Sequence, residues 1–141
     1  MQLKWIVIWY FAAYAIVTSI GIAHTVFNIT VRHMGTMRDG PGMGEGYERT
    51  RPWHPLYNLL VFPLFAGLCL PGGAAVRDAA ALSLLWGTAT VVLDVFGWVL
   101  IRHPWSLSFR EFYVDYQPWI TLIYLTICAS PFLALLSKGL R

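Results

Sequence analysis

The sequence predicts an all-α integral membrane protein with four transmembrane helices, and three observations support this fold class. Hydrophobic residues make up 57% of the 141-residue chain and charged residues only 12%, about half the charge of an ordinary soluble domain. Apolar stretches recur that approach or exceed the roughly 20 residues needed to cross a bilayer as a helix. Glycine, proline and charged residues separate these stretches. We expect one multi-pass domain, residues 1–141, in a cell membrane.

Each predicted span is bounded by polar or helix-breaking residues. A polar segment with a glycine run between residues 40 and 46 follows the first span and predicts a loop. Pro71-Gly72-Gly73 ends the second span, and Asp78 is expected to cap the third. The spans are expected at about residues 3–31, 53–71, 79–101 and 118–137. An even number of spans places both termini on one side of the membrane and both polar loops on the other.

A short helix is predicted in the second loop, immediately before the last span. Ser108 and Glu111 have the spacing of a capping box, in which serine caps the helix and glutamate lies three residues later. Aromatic residues would give this helix a face at the membrane interface, where aromatic side chains are enriched. These residues are Phe109, Phe112, Tyr113 and Tyr116.

The two halves of the chain resemble each other and predict two repeated helical hairpins. Val31-Arg32-His33 at the end of the first span matches Ile101-Arg102-His103 at the end of the third. The same offset pairs His24 with Asp94. Pro52-Trp53 and Pro118-Trp119 each open a following span. Chance is the alternative, because arginine, histidine and tryptophan are common at membrane boundaries.

Asp94 is the most informative single residue, because a carboxylate deep in a membrane helix costs about 2.5 kcal/mol or more and needs a partner. His24 is the expected partner, since it lies at the same distance from its own Arg-His pair. Asn28 shares a helical face with His24 at a spacing of i, i+4. We expect a buried Asp94–His24 pair with Asn28 beside it. Either it binds or couples an ion, or it serves as a structural clasp between helices.

Basic and polar residues of the two loops form a second candidate site. They could bind a lipid headgroup or line the mouth of a substrate path; general attraction to anionic lipid is the simpler alternative. The residues are Arg49, Arg51, His54, Arg102, His103, Arg110 and Gln117. The histidine spacings match no metal motif, so we expect neither a metal nor another cofactor.

Charge argues against a nucleic-acid partner. The sequence pI is about 9.1, yet the formal net charge is only +3 and the ten Lys and Arg residues are scattered. Neutralising several phosphates requires clustered positive charge.

The pattern favours a transporter or channel subunit for an ion, small solute or lipid headgroup. A chain with so few spans encloses little volume, so a homo-oligomer or a partner membrane subunit is expected in the bilayer. One alternative is an accessory or assembly subunit of a larger membrane complex. A further alternative is a membrane-embedded lipid-modifying enzyme, although no nucleophile motif supports an enzymatic role.

Overall fold

The computed structural model describes residues 2–36 and 44–139, and within these ranges the chain forms helices and no strand. Most of the predicted glycine-rich loop lies outside the described residues, in 37–43. Two short helices lie in the connections, α2 at Glu45–Glu48 and α5 at Phe109–Tyr113. The long helices are α1 at Leu3–Thr30, α3 at His54–Cys69, α4 at Val76–Asp94 and α6 at Trp119–Gly139.

Three helical segments are long and apolar enough to cross a membrane. They are α1 with 28 residues, α4 together with its continuation as a π-helix over Val95–Leu100 with 25 residues, and α6 with 21 residues. α3 has 16 residues and follows a turn of 3₁₀ helix at Arg51–Trp53. The structure therefore supports a helical protein with three candidate spans.

Asp78 does not cap the helix as expected, because α4 begins three residues before the predicted start of the third span. α4 begins at Val76, and the Asp78 carboxylate accepts a hydrogen bond of 2.8 Å from the backbone N–H of Ala75. A carboxylate in the first helical turn satisfies a free N–H group and also interacts favourably with the helix dipole. The same residue thus marks the helix start from inside the first turn.

The long helices pack in the order α1, α3, α6 and α4, so α1 contacts α3 closely and α4 contacts α6 closely. Gly87 of α4 permits a close approach to α6, since a Cβ atom at this position would lie 2.7 Å from Sγ of Cys128. The hydroxyl of Ser83, one turn earlier, donates a hydrogen bond of 2.7 Å to the backbone carbonyl of Cys128. Small residues at helix contacts are typical of membrane bundles.

Three buried aromatic rings fill the part of the bundle nearer the chain termini. Tyr10 of α1, Phe62 of α3 and Trp86 of α4 have ring centroids 5.7 to 6.1 Å apart. Edge-on and tilted contacts at these distances are favourable for aromatic pairs. This aromatic triangle joins three helices.

The predicted loop helix forms with its predicted cap. The side chain of Ser108 accepts from the backbone N–H of Glu111, and the Glu111 carboxylate accepts from the N–H of Ser108 at 2.7 Å. The aromatic side chains do not share one surface, however. Phe112 is buried in the core, as is Tyr116 beyond the helix, whereas Phe109 is exposed.

Gly87→Ala should weaken the α4–α6 contact, because the added methyl group must displace Cys128. We expect a loss of about 1–3 kcal/mol in the free energy of unfolding, measured by thermal or denaturant unfolding in detergent. Gly67→Ala is the matched control, because its Cβ would meet its nearest atom only at 4.0 Å. When Gly87→Ala is combined with Cys128→Ala, part of the lost stability should return. If Gly87→Ala costs the same stability in the presence and absence of Cys128→Ala, the Gly87–Cys128 contact is contradicted.

The capping box should make stability depend on pH. Hydrogen bonds from Ser108 lower the pKa of Glu111, so its stabilising contribution is present above the ordinary glutamate pKa of about 4.3 and is lost as pH falls through the lowered value. Ser108→Ala should cost about 1 kcal/mol at neutral pH. Between pH 7 and pH 3, the free energy of unfolding should fall more steeply for the unmodified chain than for Glu111→Gln. Parallel curves for the two proteins would contradict a stabilising role of the ionised Glu111 carboxylate.

Candidate functional site

A cavity of about 110 Å³ lies among the long helices on the side of the two loops. Every long helix contributes to its wall, together with the loops and α5. The polar lining residues are Tyr14, Thr18, Thr25, Tyr47, His54, Tyr57, Asn58, Thr90, Asp94 and Tyr116. The aromatic triangle lies directly beyond the cavity, toward the termini. A space of this size holds several water molecules or a small ligand.

Asp94 projects into this cavity from the end of α4, and the residue is only 5% exposed. Its carboxylate accepts a hydrogen bond of 2.7 Å from the hydroxyl of Tyr14 on α1. The indole N–H of Trp98 donates to that same hydroxyl oxygen at 3.1 Å, and Tyr124 of α6 also interacts with the carboxylate. The carboxylate is therefore positioned by side chains from both neighbouring helices.

A change in helix type directly follows Asp94. The chain continues as a π-helix over Val95–Leu100, a rare form that commonly occurs at functional sites. His103 stabilises this segment, because its Nε2–H donates to the carbonyl of Gly97 at 2.8 Å and its Nδ1 accepts from the N–H of Trp105. Trp98, one turn beyond Asp94, also lines the cavity.

The expected Asp94–His24 pair does not form. His24 shares a hydrogen bond of 2.5 Å with the hydroxyl of Tyr57 on α3, whereas Asp94 bonds to Tyr14. α1 and α4 run parallel in a register that places Tyr10 beside Thr90 and Tyr14 beside Asp94. His24 lies ten residues beyond Tyr14, roughly 15 Å farther along the helix. The sequence repeat gave the wrong register for this pair.

His54 lines the cavity opposite Asp94, at the start of α3. Its Nδ1 is hydrogen-bonded to the hydroxyl of Tyr116, and its Nε2 is buried without a hydrogen-bond partner in the described structure. Gly21 leaves room for the ring, since a Cβ atom there would lie 2.9 Å from Nε2. The imidazole of His54 is thus packed against α1 at Gly21.

Asn28 is fully buried at the loop end of α1 and holds the first loop in place. Its amide donates to the carbonyl of Gly46 and to the hydroxyl of Thr50, each at 3.1 Å. Thr25 also donates to the hydroxyl of Thr50, at 3.2 Å. Asn28 lies near the cavity without lining it, so its contacts are those of a structural residue.

The loop residues predicted as a headgroup site are divided among several contacts. The guanidinium of Arg51 donates to the carbonyl of Asp115 at 2.9 Å, while Arg110 lies 3.8 Å from the Asp115 carboxylate. Arg49 pairs with Glu45 at 4.0 Å.

The other residues predicted for the headgroup site do not converge either. Gln117 donates to the carbonyl of Tyr113. Arg102 is exposed, whereas His54 and His103 are turned inward.

The electrostatics of the cavity are dominated by Asp94. Among the described residues that line it, Asp94 is the only Asp, Glu, Lys or Arg. Burial raises the pKa of Tyr47 to about 12 and that of Tyr116 above its ordinary value, so both phenols are neutral at physiological pH. Within residues 2–36 and 44–139, no three His, Cys, Asp or Glu side chains are arranged to hold a metal ion.

Tyr14 and Asn58 are site residues that the sequence analysis missed. The available signal was a pair of tyrosines, Tyr10 and Tyr14, one turn apart in the middle of an apolar helix. Phenols at that depth need hydrogen-bond partners, and Thr90 and Asp94 repeat the same spacing on α4.

Comparison with known proteins found no matching family model, no similar curated protein and no similar solved structure.

Tyr14→Phe should destabilise the protein more than Tyr10→Phe. The first change removes a donor from a buried carboxylate and should cost about 1.5–3 kcal/mol, whereas the second breaks a neutral bond to Thr90 and should cost about 1 kcal/mol. Unfolding in detergent, followed by tryptophan fluorescence, measures both. Equal losses of stability for Tyr14→Phe and Tyr10→Phe would contradict a larger contribution from the Tyr14–Asp94 bond.

Proposed function

We propose that the chain is a small membrane transport subunit that binds a monovalent cation, specifically an organic ammonium group, in the cavity. Asp94 is the counter-ion in this proposal. The observation that carries it is the composition of the wall, where one buried carboxylate is surrounded by seven aromatic residues. These are Tyr14, Tyr47, Tyr57, Trp98, Trp105, Phe112 and Tyr116.

Charge balance favours a cation as the ligand. An ionised carboxylate in apolar surroundings is costly unless it is paired. Tyr14 satisfies part of this need as a neutral donor. A bound positive charge would compensate the carboxylate, whereas an anion would add a second uncompensated charge.

The aromatic lining favours an organic ammonium over a hydrated metal ion. Aromatic faces attract such groups, with about 2 kcal/mol or more for each contact removed from water. The same rings already interact with a cation at the outer edge of the site, where the guanidinium of Arg51 lies 5.8 Å from the ring centre of Tyr47 and 5.2 Å from that of Tyr116.

In the proposed membrane arrangement, α3 is the fourth and shortest span. The leucines at positions 60, 64 and 68 follow one face of α3 and are 60%, 70% and 60% exposed, as expected of a surface in contact with lipid. Sixteen helical residues cover roughly 24 Å, so the preceding 3₁₀ turn would complete the crossing.

The proposed repeat of two hairpins is supported by their parallel construction. Each hairpin packs internally, and each connection contains a short helix, α2 or α5. A Pro-Trp pair also lies at the start of the second long helix of each hairpin, and each of these helices contains an internal proline, Pro63 or Pro131. An axis along the membrane normal would relate the halves.

Assembly remains part of the proposal, because a cavity of this size does not by itself provide a path across a bilayer. A second copy or another membrane subunit would complete the path. An accessory or assembly role is the alternative, and it predicts that neutralising Asp94 has no effect on ligand binding or transport. The lipid-modifying enzyme is a weaker alternative, because His54 and His103 are engaged in internal contacts.

Choline and its uncharged isostere 3,3-dimethyl-1-butanol test the proposal, because they share a shape and differ in charge. We expect protein in lipid nanodiscs to bind choline, and to bind the isostere at least about tenfold more weakly. Asp94→Asn should weaken choline binding by a similar factor, because the neutral amide keeps the size of the side chain and can still accept from Tyr14. Quenching of tryptophan fluorescence is a suitable measurement, since Trp98 and Trp105 line the cavity.

Glu48→Gln is the matched control, because it removes one negative charge from an exposed position on α2. It should leave choline binding unchanged. Equal affinity for choline and its isostere, or undiminished choline binding by Asp94→Asn, would contradict the cation site. Choline uptake into proteoliposomes, lost in Asp94→Asn, would extend the result from binding to transport.

A further inference from the structure

One side of the bundle is joined by side chains instead of close backbone packing. α1 packs against α3, α3 against α6 and α6 against α4, whereas α1 and α4 lack a comparable interface. Across this α1–α4 seam, Tyr10 bonds to Thr90 at 2.9 Å and Tyr14 to Asp94 at 2.7 Å. The seam can therefore admit a ligand without separating tightly packed helices.

An apolar groove of about 260 Å³ follows the seam toward the chain termini. Its wall has no polar surface, and side chains on both rims are exposed, including Val7 at 42% and Val92 at 48%. Tyr10, Phe11, Trp86 and Ala89 are among the residues that line it.

The groove and the cavity lie next to each other along the seam and share no lining residue. Residues between positions 3 and 11 of α1 face positions 85–93 of α4 at the groove, while positions 14–25 lie beside Asp94 and Trp98 at the cavity. The Tyr10–Thr90 bond joins a groove residue to a cavity residue. The Tyr10 and Tyr14 rings, 6.0 Å apart, lie at the junction.

We infer that the ligand is a single-chain cationic amphiphile, with its ammonium head in the cavity and its alkyl tail in the groove. This inference rests on the proposed function, because the head uses the same Asp94 site. A wholly apolar groove on the membrane-facing side of two helices is suited to a hydrocarbon chain. Its position next to a carboxylate-bearing cavity specifies an occupant with a charge at one end.

The head displaces the hydroxyl of Tyr14 as the neighbour of Asp94, or binds beside it, and the tail extends past Tyr10 into the groove. The ligand enters from the bilayer, where an amphiphile is already oriented with its head at the interface. Neither the groove nor the cavity alone selects such a molecule; the selection comes from their order along the seam.

Dodecyltrimethylammonium and tetramethylammonium separate the tail from the head in a binding experiment in nanodiscs. Ala89→Leu fills the groove, and Ala81→Leu is the matched control on an exposed face of α4 outside it. When the dodecyl compound is present at the same mole fraction in each membrane, we expect Ala89→Leu to weaken its binding by about fivefold. Ala81→Leu should bind it as the unmodified chain does, and all three proteins should bind tetramethylammonium equally.

Val92→Phe, on the exposed rim of the groove, provides a second groove-filling variant if Ala89→Leu does not fold. Undiminished binding of the dodecyl compound by a folded groove variant overturns the inference while leaving the cation site intact. The same conclusion follows if filling the groove changes a monomer–dimer equilibrium without affecting ligand binding, since the groove would then hold a second copy. Binding of neither compound by the unmodified chain overturns both the inference and the proposed function.

Discussion

A carboxylate within an apolar helix has to be satisfied by groups from other helices, and the architecture around Asp94 follows from that requirement. Tyr14 reaches it across the α1–α4 seam, Trp98 holds Tyr14 in position, and Tyr124 approaches from α6. In water such contacts contribute modestly to stability, but inside a membrane an unsatisfied charge is far more costly. The register of α1 against α4 is thus set by polar side chains.

The same constraint explains why the bundle encloses a cavity. Tyrosine side chains span the distance between α1 and α4, so the two backbones remain apart where the other helix pairs pack closely. Gly21 and Gly87 act in opposite ways on this framework: Gly87 lets α4 approach α6, whereas Gly21 leaves space for the ring of His54. Close packing on three sides and bridging side chains on the fourth together create the space.

The sequence was sufficient for the helical class, the approximate helix positions and the capped loop helix, because these depend on local composition and spacing. The contacts of Asp94 were not predictable by the same means. Matching the two halves by their Arg-His pairs placed His24 opposite Asp94, yet the helices are aligned through Tyr10–Thr90 and Tyr14–Asp94. Register between two parallel helices depends on which side chains can reach across, and that information is distributed over both helices. The π-helix after Asp94 likewise has no clear signature in sequence.

The depth of Asp94 gives the site an electrical property. The residue lies six positions before the end of the segment at Leu100, in a segment of 25 residues, so in the proposed membrane arrangement it is roughly 9 Å from the loop side. A monovalent cation that binds to the carboxylate from that side, as proposed, would cross about a quarter of the transmembrane field. At 100 mV this displacement corresponds to about 0.6 kcal/mol, or nearly a threefold change in occupancy. The membrane potential would therefore influence how often the site is filled.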